Sequence, residues 1–227
     1  MGTIVAICSS KGGNGKSAIT ALLSVNLAFA GLRAAVIDAD PNGSFSTWHR
    51  TTYGGYPALS VSQCIDEDEI VAHALEVSGQ HNVTIIDTAG FRNQTASFAM
   101  GVASLVLIPV LPDRHSLIEA AKTVRQAESV SQIARRSIPC RILLNAWNPR
   151  GLAEQATLDD IESFKLERLP TAIGSYVAME KYTYSGLVPT SGALGKAALE
   201  VIEHIHSLVG IEAWPPPSRA NLSRPKS

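Results

Sequence analysis

Short apolar runs recur along the chain at residues 3–8, 34–37, 83–86, 105–109 and 141–145, with a weaker one at 170–173. They are apolar or β-branched at successive positions instead of at every second one, the pattern of strands buried on both faces. Between them the period lengthens. Ile19, Leu22, Leu23, Leu27 and Ala30 recur at helical spacing over 16–30, and Gly31 stops that segment. Asp66-Glu67-Asp68-Glu69 opens a second helix running to Val77, where early acids complement the helix dipole and Gly79 ends it. Further helices follow over 116–135, 154–167, 175–184 and 193–209. Strands alternating with helices predict an α/β fold: a doubly wound, mostly parallel sheet with helices on both faces and right-handed crossovers. Residues 51–63 mix polar, aromatic and glycine positions without a period, and are expected to form an irregular excursion. Prolines follow Trp214 in a row. Residues 1–210 are therefore expected to be one domain, and 211–227 a mobile proline-rich tail.

Composition narrows the class. A chain of 227 residues with 45% hydrophobic and 17% charged content suits a globular core. Its net charge of −1 gives no global attraction to nucleic acid or acidic lipid, so any such binding must come from a local patch. Cys8, Cys64 and Cys140 are scattered, without C-x-x-C spacing. They read as reduced thiols and speak against a structural metal site or an iron–sulfur ATPase. No basic and apolar leader opens the sequence, and no apolar run reaches the roughly 18 residues of a membrane span. The expected location is cytoplasmic.

In a doubly wound sheet ligands bind beyond the carboxyl ends of the strands, so chemistry is sought where each apolar run stops. The first stops at Cys8-Ser9-Ser10-Lys11-Gly12-Gly13-Asn14-Gly15-Lys16-Ser17. A glycine-rich loop between strand and helix lets backbone N–H groups curl around phosphates, aided by the helix N-terminus. Gly12, Gly13 and Gly15 lack the Cβ that would block that approach, and Asn14 and Ala18 complete the cradle. Lys16 would reach the β- and γ-phosphates, and Ser17 would ligate Mg²⁺. The second run stops at Asp38-Ala39-Asp40-Pro41-Asn42-Gly43, where two carboxylates can approach a metal-bound triphosphate. The third stops at Asp87-Thr88-Ala89-Gly90: an aspartate closing an apolar strand supports Mg²⁺, and Gly90 can present its N–H to a γ-phosphate. The run at 141–145 ends in Asn145, an amide that carries a donor and an acceptor side by side.

The loop misses the general G-x-x-x-x-G-K-[ST] pattern, because Ser10 stands where its first glycine belongs. It matches K-G-G-x-G-K-[ST] instead, and with D-x-D-P-[QN]-G and D-T-A-G following in order the chain resembles the ParA/MinD group of deviant-loop ATPases. The resemblance is to the small ParA-like partition proteins; it covers most of the chain and thins beyond residue 150. It departs from the family over 174–182, where the arginine of an R-x-[AF]-[YF] segment is missing.

The resemblance implies a P-loop NTPase fold binding ATP and Mg²⁺, with weak basal hydrolysis. It implies an ATP-dependent homodimer in which Lys11 of each subunit reaches the partner's nucleotide. Asp40 would position the attacking water, Asp38, Asp87 and Ser17 would support Mg²⁺, and Asn145 would meet the adenine edge. It further implies a ParB-like stimulating partner, a large cargo such as a plasmid or chromosome region, and nonspecific DNA held by the dimer. Candidate contacts for DNA are Lys165, Arg168, Lys181, Lys196, Arg219, Arg224 and Lys226, with Arg135 and Arg136 as a separate pair. With DNA bound the protein would be nucleoid-associated.

Two alternatives remain. A MinD-like membrane cycle needs a basic amphipathic C-terminal helix, but 193–209 carries Glu200 and Glu203 and three prolines follow Trp214. No membrane partner is therefore expected. A small-molecule synthetase of the same superfamily lacks the D-x-D-P-x-G turn in this form.

Overall fold

The computed structural model describes residues 1–90, 94–175 and 177–215. Its strands are β1 (Thr3–Ile7), β2 (Ala34–Ala39), β3 (Ser60–Gln63), β4 (Val83–Thr88), β5 (Leu105–Val110) and β6 (Cys140–Leu144). All pairings are parallel, and the sheet order is β3-β2-β4-β1-β5-β6. Because successive side chains of a strand point to opposite faces, each continuous apolar run divides between two layers. Val5, Ile7, Val36, Val83, Ile85, Leu105 and Leu107 pack under α1 (Lys16–Phe29), α2 (Ser44–Thr51), α7 (Val177–Ser185) and α8 (Gly192–Val209). Ile4, Ala6, Ile37, Ile86, Val106 and Ile108 pack under α3 (Ile70–Gln80), α4 (Gln94–Val102), α5 (Arg114–Ala134) and α6 (Leu152–Ser163). This is the expected doubly wound α/β sheet. Each fully buried Ile or Leu contributes about 1.5–3 kcal/mol, so the two layers outweigh any surface ion pair.

Several boundaries differ from expectation for local reasons. The acidic cluster at 66–69 forms a turn ahead of α3, with the Asp66 carboxylate accepting from Asp68 N, and Gly79 lies inside the helix. The irregular stretch 51–63 ends in the edge strand β3, and α2 precedes it; both are short and mostly polar, so no period marks them. The run at 170–173 is not a strand. It lies along the open edge of β6, where Leu169 N and Ile173 N donate to Ile142 O and Leu144 O, and it shields that edge from other chains. Residues 216–227, most of the expected tail, lie outside the described residues.

Candidate functional site

β1 ends at Ile7 and α1 begins at Lys16, and the loop between them borders a cleft of about 680 Å³. Gly15 makes the turn into the helix with φ 82°, and a Cβ there would sit 2.4 Å from Asn145 Nδ2. Only glycine meets both demands. No side chain caps α1, which leaves its first N–H groups for an anion that the macrodipole also favours. Gly12, Gly13, Gly15, Lys16, Ser17 and Ala18 all line the cleft. Facing them are Asp40, Pro41 and Asn42 after β2, and Ala89 and Gly90 after β4. Tyr182 and Thr183 of α7 line it too, and sequence patterning missed them: tyrosines on a helix read equally well as packing. Gly90 passes so near the loop that a Cβ would lie 2.8 Å from Gly12 Cα.

Sheet register brings the acids together. Asp38 and Asp87 are paired positions on β2 and β4, and Asp87 also pairs with Ile7. Both side chains fall on the face covered by α1, where Lys16 and Ser17 start the helix. Asp87 is 1% exposed, and neither of its carboxylate oxygens has a hydrogen-bond partner. Burial pushes its carboxyl up to about 7; Asp38 and Asp40 add to the rise, while nearby Ser17 and Lys16 oppose it. Burial also lowers the Lys16 ammonium, against the pull of Asp87 and Asp40.

An uncompensated buried carboxylate is costly, and a hard dication with oxygen ligands would relieve it. Among the described residues no cluster of three or more His, Cys, Asp or Glu could hold a metal unaided. Ser17 and Asp87 therefore fit Mg²⁺ that arrives with phosphate oxygens completing its shell. Asp38 stands one step back: its Oδ2 accepts from Ser46 N at 2.8 Å and its Oδ1 from Asp40 N at 3.2 Å, fastening α2 and the Asp40 turn. Asp40 closes that turn by accepting from Asn42 N and Nδ2, both at 2.9 Å.

Two expected ligands also hold the loop itself. The Asn14 side chain is fully buried; it donates to Ser9 Oγ (3.0 Å) and Pro109 O (3.4 Å) and accepts from Ser116 Oγ (2.8 Å). It braces the loop from behind, leaving only its backbone for phosphate. Asn145 Nδ2 donates to Asn14 O at 3.0 Å, which gives one of its two N–H bonds to the loop and leaves the other, with Oδ1, for a nucleotide edge. Lys11 does not line the cleft, and its Nζ lies 3.6 Å from Asp113 Oδ1.

The candidate basic residues are less concentrated than the acids. Arg136 is committed to the fold, its guanidinium donating to Gly101 O and Ala103 O at the end of α4. Lys196 pairs with Glu200, and Arg168 donates to Leu169 O. Lys165 and Lys181 are exposed, while Arg219, Arg224 and Lys226 lie outside the described residues. The three cysteines are free, and burial pushes Cys8 and Cys140 up to about 12, so neither is a nucleophile near neutral pH.

Residues 5–190 match the family described as the CobQ/CobB/MinD/ParA nucleotide binding domain. By sequence the chain is 28% identical over 147 residues to Protein ParA of Rhizobium radiobacter, which is 64% of this chain and 65% of that protein. It is 29% identical over 191 residues to maintenance of carboxysome distribution protein A of Gloeobacter kilaueensis, covering 81% and 82% of the two chains. In structure it resembles a Cyanothece McdA variant solved as an ATP complex, with a TM-score of 0.76 at 14% identity over 93% of this chain and 97% of that one.

Proposed function

Because the chain belongs to the CobQ/CobB/MinD/ParA nucleotide-binding family, we propose that it is a ParA-type ATPase that pairs on Mg-ATP, hydrolyses it slowly and so positions a large cargo. One observation carries the pairing: the loop places Lys16 in the cleft and turns Lys11 out of it. A second loop lysine outside its own cleft is placed to serve a neighbour's nucleotide. Two clefts brought face to face would set about four negative charges per nucleotide against each other, and a lysine crossing between them converts repulsion into attraction. Hydrolysis then removes the group that holds the pair.

Within each cleft the loop amides and Lys16 hold the phosphates, and Ser17 and Asp87 hold Mg²⁺. The ion supplies neutralisation of charge developing on the phosphate oxygens. Asp40 lines the cleft on the side facing the loop and would orient water for in-line attack on the γ-phosphorus, as the P–O bond to the β-phosphate breaks. Among the described residues, none of those lining the cleft is an arginine. Slow turnover, raised by a ParB-like partner, is in keeping with that lining.

The family name spans synthetases as well as positioning proteins, and the fold alone does not separate them. Sequence kinship to a ParA and a carboxysome-distribution protein, with the Asp38–Gly43 turn, supports the positioning reading. Nonspecific duplex DNA is the surface on which the paired form would act. A mobility shift with nonspecific duplex, run with ATP, ADP or no nucleotide at two salt concentrations, tests this. Retardation only with ATP, weakened by salt, supports it; no retardation by the ATP-bound protein at the lower salt removes DNA from the cycle.

A further inference from the structure

Lys11 is held at rest. Its Nζ lies 3.6 Å from Asp113 Oδ1, with 30% and 41% of the two side chains exposed. The chain on either side of it is fastened to α5. Ser10 N donates to Thr123 Oγ1 at 3.2 Å, and Ser10 Oγ donates to Glu119 Oε2 at 2.7 Å and Glu119 O at 2.9 Å. Three residues after Lys11, Asn14 is bound to Ser116 on the same helix. The lysine is therefore presented by a braced loop beside the start of α5.

Asp113 is placed there independently of the lysine. It is the N-cap of α5, and the same Oδ1 accepts from Ser116 N at 2.7 Å. The cap fixes the carboxylate, so its charge stands preset beside Lys11 whatever the lysine does. We propose that Asp113 is the resting counter-ion of Lys11, a soft latch that two protomers must release before each lysine can reach the other's nucleotide. A triphosphate offers several charged acceptor oxygens against a single carboxylate that already accepts the cap bond, so nucleotide on a partner wins the exchange. The latch sets the concentration at which pairing begins. This rests on the trans role of Lys11 proposed above.

Partly exposed ion pairs are weak, equivalent to about a two- to fivefold effect each. Two latches open per dimer, so losing both should tighten pairing by about four- to twenty-five-fold. Asp113→Asn is the clean perturbation. Asn and Asp are equally good N-caps, so the cap bond is kept while the charge is removed. Pairing is measured by sedimentation velocity over a protein dilution series, in the presence of a nonhydrolysable imido analogue of ATP and at low and high salt.

The variant is expected to have a dimer dissociation constant lower by that factor, with unchanged analogue affinity in the monomer. The gap from wild type should shrink as salt rises, which a purely structural role of Asp113 would not produce. Equal or weaker pairing by a variant that melts like wild type overturns the latch while leaving the pairing proposal standing. If Asp113→Asn melts lower, Asp113→Ser supplies a second uncharged cap and the same two outcomes apply. Wild-type protein that stays single with the analogue overturns both.

Discussion

Asn14→Ala separates a nucleotide ligand from a brace. The side chain is fully buried, and its removal leaves the Ser116 hydroxyl without its acceptor, while Ser9 Oγ loses one of its two donors and keeps Lys11 N at 3.2 Å. The orphaned hydroxyl costs about 1–3 kcal/mol, and the weakened Ser9 contact and a small cavity add to it. A loss of about 3 kcal/mol is the central expectation, and for a chain of this size it lowers Tm by about 6–12 °C. Thermal melts without nucleotide measure it, because a ligand role would show only when nucleotide is present. Ser116→Ala alone should cost about 1–2 kcal/mol by stranding Asn14 Oδ1. The double variant should cost less than the sum of the two, by about 1 kcal/mol or more, since each single change strands the other's partner. Additive losses, or an Asn14→Ala protein that melts like wild type and fails only in nucleotide binding, would refute the brace.

The other predictions concern the cleft directly. Lys16→Ala should weaken ATP binding by about ten- to a hundredfold, the worth of a charge-assisted contact, while Lys11→Ala leaves single-protomer binding near wild type; titration calorimetry at low protein concentration reads both. Asp40→Ala should lower phosphate release by about a hundredfold or more and leave the ATP-bound pair long-lived, and wild-type turnover in that variant would remove Asp40 from the mechanism. Gly90→Ala would push a Cβ to within 2.8 Å of Gly12 Cα and 2.9 Å of Gly12 N. Backbone must move, so about 1–3 kcal/mol should be lost, whereas Gly12→Ala, which meets nothing within 4 Å, should melt like wild type without nucleotide.

Sequence pattern was most informative where one physical demand dominated. Buried strands cannot alternate when helices cover both faces, so β1, β2, β4, β5 and β6 stood out as apolar runs. The residues that end β1, β2 and β4 stood out because small or acidic residues there have few other uses. What stayed hidden depends on the third dimension. Asn14 sits in a phosphate loop and reads as a ligand; only the approach of α5 turns its amide to Ser116. Tyr182 belongs to the cleft because α7 docks on α2, with Trp48 Nε1 donating to Tyr182 O at 3.1 Å and Gly186 passing against Thr52. Nothing in local periodicity encodes that contact. Likewise Arg136 reads as half of a basic pair, and its guanidinium is instead bound to carbonyls at the end of α4.

Mass in solution tests the central claim most directly. Light scattering on the eluting protein, with ADP and then with ATP held below turnover by the Asp40→Ala change, should give 24.1 kDa in the first case and twice that in the second. A chain that binds ATP yet keeps the single mass in both would contradict it.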